Sequence, residues 1–326
     1  MRTTLLARLA LVAVTATALG TAACAAPAEE PRLEAGDDDL TARVGFTKLR
    51  GEGSEVVADV AVSARRLYVA KGREGVLVLD PRTMKVEATW ERDPEGRRLF
   101  TDGVQIVGDQ LLSYAERDDS DIDIFGRGTF KRVFVVRFHD AETGSVEKEI
   151  VFDLTQMLAS EDTFVDLPSM SAFFDVESQR LSIAFSHIRI QDVVVTLPVP
   201  AGAKTELDLA NVPGAEVTEV ERPHGLFVEG GKLYLAQTTK GLSIVDAATG
   251  EVSSSYPELG YALDVVAAGG RAYVADHDGA VKILDLASGE VVGSIPVDDW
   301  VRGVAVDGKY VYVASNEGVT VARLPR

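Results

Sequence analysis

Four residues in the C-terminal third have side chains suited to recognition chemistry: His224 in "ERPHG", Tyr261 in "LGYAL", and Trp300 and Arg302 in "DDWVRG". A guanidinium makes charge-assisted contacts to carboxylates and similar anions, and aromatic rings offer flat apolar faces for stacking. Together they suit an anionic or carbohydrate-like group. The plainer alternative pairs Arg302 with Asp298 or Asp299 and packs Trp300 inside the fold.

Other constellations are incomplete. Zinc needs three or four ligands, and the histidines His139, His187, His224 and His277 (in "DHD" at 276–278) are scattered along the chain. Asp119, Asp121 and Asp123 have the spacing of an EF-hand loop. However, its sixth position is Ile124 instead of Gly and its twelfth is Phe130 instead of Glu, so the acidic insert is expected to bind calcium weakly at most. No G-x-S-x-G elbow is present, and Ser182 and Ser186 beside His187 make no triad by proximity alone. Carboxylate pairs abound, which keeps a glycosidase-like chemistry open. No cofactor is expected.

The elements that would position these residues repeat. "GLSIVDAATGEV" (241–252) returns as "AVKILDLASGEV" (280–291), with further copies at 133–152 and 75–90. Each copy reads as strand, Asp-x-x-Thr/Ser-Gly turn, strand. A strand–turn–strand precedes each, aligned on Tyr68, Tyr234, Tyr273 and Tyr312, the last three spaced by 39 residues. Four strands per unit of about 40 residues is the length of a β-propeller blade. Two looser units open at 103–115 and 173–187; the latter continues through "VVVTLPVPAGAKTELDL". The join at 153–170 leaves room for a short helix. This makes six starts, the last with three strands only. The orphan strand at 41–50 would complete it and close the ring, removing an open edge. Six blades are expected, with seven as the alternative. In such a ring Ala58, Asp102, His224, Leu263 and Arg302 precede the inner strands and should surround the channel mouth.

The ends have a different composition. "MRTTLLAR", an apolar run and "TAACAAPA" read as a signal peptide over 1–23, too short to span a membrane. The one cysteine, Cys24, excludes a disulfide within the chain. It stands where a lipobox places the lipidated Cys, although Thr21 replaces the usual Leu; ordinary cleavage at Ala23-Cys24-Ala25 is the alternative. Residues 24–42 are rich in Ala, Pro and acid and read as a flexible tether. The propeller would occupy 43–326. Net charge is −18, which speaks against nucleic acid and against direct contact with an anionic membrane.

"GLSIVDAATGEV" followed by "ALDVVAAGGRAYVADHDGAVKILD" resembles the LVIVD-repeat and YncE-like secreted propellers of bacteria, over about 56–326 and most strongly over 223–326. The turn "DAATGEV" also resembles PQQ-dependent dehydrogenases, but the chain is too short for their larger ring, has only Trp90 and Trp300, and lacks a C-x-x-C-H haem motif. The resemblance implies a propeller at the cell envelope. The expected function is an exported, membrane-anchored binding scaffold without catalysis. Its protein, small-molecule or glycan ligand would sit on the channel-mouth face. The alternative is a secreted hydrolase or lyase with acids and histidines at that mouth.

Overall fold

The computed structural model describes residues 42–48, 56–90, 100–122, 128–129, 131–155, 169–187, 190–297, 299–316 and 318–324; at 42–48, 121–122, 128–129, 187, 190–191 and 210 only the backbone is described. The leader, Cys24, nearly all of the tether and most of the join at 153–170 lie outside these residues.

Six sheets follow one another around a ring. Blade 1 comprises Asp59–Val62, Leu67–Ala70, Val76–Leu79 and Val86–Trp90. Blades 2 and 3 open with the inner strands Phe100–Val107 and Ser169–Asp175. Blade 4 opens with Gly225–Glu229, blade 5 with Ala262–Ala268 and blade 6 with Val301–Val306. Each inner strand contacts the next, and blade 6 contacts blade 1, so the ring is closed. The fold is a six-bladed β-propeller. Ala42–Lys48 pairs antiparallel with Gly318–Arg323 as the outer strand of blade 6, which is the expected closure.

The Asp turns explain why the hairpins recur. Asp246 Oδ1 accepts the N–H groups of Ala248 at 2.9 Å and Thr249 at 2.8 Å, and Asp140 and Asp285 do the same in their copies. A carboxylate that accepts several N–H bonds is held as an anion, and these hydrogen bonds keep the Asp246 carboxyl below its ordinary value. The closing residue, Gly250, has φ 73°, open to glycine at little cost.

The core is divided among the blade interfaces. A separate buried apolar cluster fills each of the six. The aligned tyrosines sit in these clusters: Tyr68 between blades 1 and 2, Tyr234 between 4 and 5, Tyr273 between 5 and 6, and Tyr312 between 6 and 1.

One segment departs from the repeat reading. Lys204–Asp208 does not continue blade 3; it pairs parallel with Val146–Asp153 as a fifth strand of blade 2. The outer strand of blade 3 is the short Glu216–Glu219. Charge explains the placement: Lys204 Nζ lies 3.2 Å from Glu149, which also clamps Arg137 at 2.6 Å. The acidic insert forms a small hairpin of Asp121–Ile122 and Gly128–Thr129 between the second and third strands of blade 2.

Candidate functional site: the channel and its mouth

Residues near the start of the inner strands build the waist of the channel. Asp59, Gly103, Ser171, Gly225, Asp264 and Gly303 occupy one register position. Opposite them on the second strands stand Ala70, Tyr114, Ala184, Ala236, Ala275 and Ala314. Tyr114 therefore replaces an alanine. It fits because Gly103 leaves its ring room; a Cβ there would overlap the ring.

The two carboxylates latch the blades. Asp59 accepts from Val60 N–H at 2.7 Å and from Val104 N–H of blade 2 at 3.0 Å. Asp264 accepts from Val304 N–H of blade 6 at 3.0 Å. Burial and the Asp264 charge push Asp59 well above the carboxylate range, and burial raises Asp264 to about 6.

Above the waist opens a cavity of about 940 Å³, bounded by Ala58, Asp102, His224, Leu263 and Arg302 among others. Of the five residues expected to precede the inner strands, Ala58 and His224 do so, whereas Asp102, Leu263 and Arg302 lie just inside the strands Phe100–Val107, Ala262–Ala268 and Val301–Val306. Arg73, Glu116, Arg117, Asp118 and Arg132 complete a charged wall. The root of the acidic insert is thus part of the mouth.

His224 donates from Nδ1 to the Leu263 carbonyl at 2.8 Å, leaving Nε2 as an acceptor. Burial first, then Arg302 and His277, depress its pKa, so the ring is neutral near pH 7. Arg302 spends Nε on Asn316 Oδ1 at 2.6 Å; among the described residues its terminal nitrogens have no hydrogen-bond partner. Across the cavity Asp102 is pushed well up by burial and by Glu116, and Glu116 is raised by burial to about 7. The mouth therefore holds a guanidinium and a neutral imidazole with acids that retain protons unusually late.

Tyr261 and Trp300 do not line this cavity. They lie on its rim, 38% and 55% exposed, with the ring of His277 between them. The centroid distances are 5.1 Å to Tyr261 and 4.7 Å to Trp300. His277 N–H donates to the Tyr261 carbonyl, and Asn316 N–H to that of Trp300. His277 was visible only as a metal candidate, and its ring-stacking role had no sequence signal. Tyr114 did carry one, as the single large residue in a register of alanines.

The remaining candidates lie apart from one another. Asp119 binds Arg117 through both oxygens, at 2.6 and 2.8 Å; Asp121 is described as backbone only, and Asp123 lies outside the described residues. His139 accepts or donates at 2.8 Å with Ser113, stacks on Trp90 and is far from the mouth group. Among the described residues no three His, Cys, Asp or Glu side chains are placed to hold a metal ion.

The fold and the mouth together define a six-bladed propeller with a ligand-sized polar vestibule. The LVIVD repeat matches residues 259–288 and 300–321, in agreement with the resemblance to LVIVD and YncE-like propellers carried by the last two blades. No curated protein matches the chain. Among solved structures, a chain of "Crystal Structure of Mitotic Checkpoint Complex" is similar at 14% identity and TM-score 0.53, over 94% of this chain and 100% of that one. At that identity the likeness concerns the fold alone.

Proposed function

We propose that this is an exported envelope protein that binds a small polar ligand bearing an anionic group, an acidic sugar or small organic acid, in the propeller mouth. One observation carries the reading: Arg302 and His224 line one cavity, and their hydrogen bonds to Asn316 and to the Leu263 carbonyl leave the terminal guanidinium nitrogens and an imidazole acceptor for a ligand. A concave cavity of about 940 Å³ with a few convergent polar groups favours a small ligand over a broad protein face. The stack of Tyr261, His277 and Trp300 at the rim adds apolar area for a sugar face. Titration calorimetry with glucuronate and citrate tests it: the Trp300→Ala/Arg302→Ala double variant, folded by circular dichroism, should lose binding. Unchanged affinity would move the site elsewhere.

Envelope anchoring belongs to the same proposal. Cys24 would carry the lipid and 24–42 would hold the propeller off the membrane. A Cys24→Ala variant that fractionates with the membrane as before would refute the anchor.

The Asp102–Glu116 pair favours a second reading, a hydrolase or lyase. A carboxyl with a pKa near 7 is suited to general acid work. Turnover of uronide substrates that Glu116→Gln abolishes would establish it.

A further inference from the structure

Below the waist lies a second chamber of about 280 Å³ that differs from the mouth in having no cationic side chain among its lining residues. Its walls are valines, alanines, Ile106, Leu226, Phe173 and Phe227, the two phenyl rings meeting edge to face at 4.9 Å, with Gln105, whose side-chain amide is paired with the Phe174 backbone. No Lys, Arg or His lines it. Val62, Val266 and Val306 are half-exposed there and leave the chamber open. Its polar ceiling is Asp59, Tyr114 and Asp264, which line both chambers.

The two carboxylates approach the same short stretch of blade 6 from opposite sides. Asp264 Oδ2 accepts from Val304 N–H, while a Cβ placed on Gly303 would meet Asp59 Oδ1 at 2.5 Å. Gly303 thus leaves room for the Asp59 carboxylate beside the blade 6 backbone. Both carboxylates line this ceiling, and the charge of Asp264 helps to raise the Asp59 pKa, so a cation placed between them is favoured.

We infer that this chamber is a ligand site of its own, for an organic cation with a compact apolar body, its ammonium held by Asp59 and Asp264. The inference is independent of the mouth ligand. An anion is repelled by the ceiling. A neutral apolar molecule gains only the walls. An ammonium gains the walls, the charges of Asp59 and Asp264, and the Tyr114 ring, a cation–π partner. The volume limits the body to about ten non-hydrogen atoms, taking about 30 Å³ for each. The protein's net charge of −18 draws cations towards it.

The test uses the full chain and three probes of one shape: phenethylamine (a cation at pH 7), 2-phenylethanol and phenylacetate. Calorimetry should show phenethylamine binding at least about tenfold tighter than the alcohol, as expected for a partly desolvated charge pair, and phenylacetate giving no heat. Asp264→Asn, which keeps the shape and an acceptor for Val304 N–H, should erase the preference for the amine and leave the alcohol's affinity as it was. Val62→Phe at the open rim should block both. Absence of amine binding, equal affinity for amine and alcohol, or an Asp264→Asn variant as selective as the parent would overturn the inference. So would loss of amine binding in the Trp300→Ala/Arg302→Ala variant, which would place the amine in the mouth.

Discussion

Arg302 and Asn316 are joined by a 2.6 Å hydrogen bond from Nε to Oδ1, and the backbone N–H of the same asparagine reaches the Trp300 carbonyl at 3.3 Å. One residue therefore fixes both the guanidinium of the mouth and the loop bearing the exposed indole. Asn316→Ala should weaken glucuronate or citrate binding by about two- to tenfold, the cost of re-ordering one long side chain on binding. Calorimetry on parent and variant checks it. An unchanged constant would mean that Arg302 is held by other contacts.

The channel acids make stability depend on pH in an unusual direction. Asp264 at about 6 and Glu116 at about 7 stand above 3.8 and 4.5, and Asp59 and Asp102 are raised too. A raised acid keeps its proton in the folded chain where the unfolded chain has lost it. Its contribution is complete below the unfolded value and is lost as pH rises through the folded one. The Asp turns act oppositely, failing only in stronger acid. Melting temperature should thus peak on the acidic side of neutrality and fall from pH 5 to pH 8. Glu116→Gln should flatten the upper part of that fall. A melting temperature rising steadily over this range would contradict the account.

Close approach of the inner strands requires a missing side chain at Gly303. A Cβ there meets Asp59 Oδ1 at 2.5 Å, Asp59 Cα at 2.8 Å and the Ala58 carbonyl at 3.2 Å. Two of these are backbone and cannot swing aside. Gly303→Ala should cost about 1–3 kcal/mol, the usual range for overpacking, measured by urea unfolding. Gly308→Ala is a control for the fold's tolerance, since no atom lies within 4 Å of its Cβ, although its φ of 87° adds local strain.

Buried His139 is held neutral, its pKa depressed to about 4, mainly by burial. Its ring nitrogens contact Ser113 Oγ at 2.8 Å and the Gly144 carbonyl at 3.2 Å. Ser113→Ala would leave one ring nitrogen unsatisfied, at a cost of about 1–3 kcal/mol. Ser113→Thr, which retains the hydroxyl, should lose less. Equal losses in denaturant unfolding would attribute the effect to packing.

Much of the ring was legible because its physics repeats. The Asp turns, the tyrosine spacing and the lone strand before the first unit each follow from a need shared by every blade, so they recur in the letters. The mouth positions of His224 and Arg302 followed from the same alignment. The misplaced Lys204–Asp208 had no such support: a short polar strand pairs with whichever edge offers a charge partner, here Glu149. The waist was half visible. Asp59 and Asp264 stand in register and Tyr114 breaks a column of alanines, but only the closed ring brings blades 1, 2 and 5 to one point. His277 between two rings of the rim could not be read, because stacking across blades leaves no periodic mark.

The pairing of Ala42–Lys48 with Gly318–Arg323 joins one of the first strands made to the last. Five blades can assemble from neighbouring hairpins as the chain emerges, but the sixth waits. Its outer strand must idle unpaired until the final strand arrives, and the search between distant segments is slow compared with local hairpin formation. A chain lacking either strand cannot complete the seam and is left with an unpaired β edge. The stability of the last blade therefore depends on two segments from opposite ends of the described fold at once.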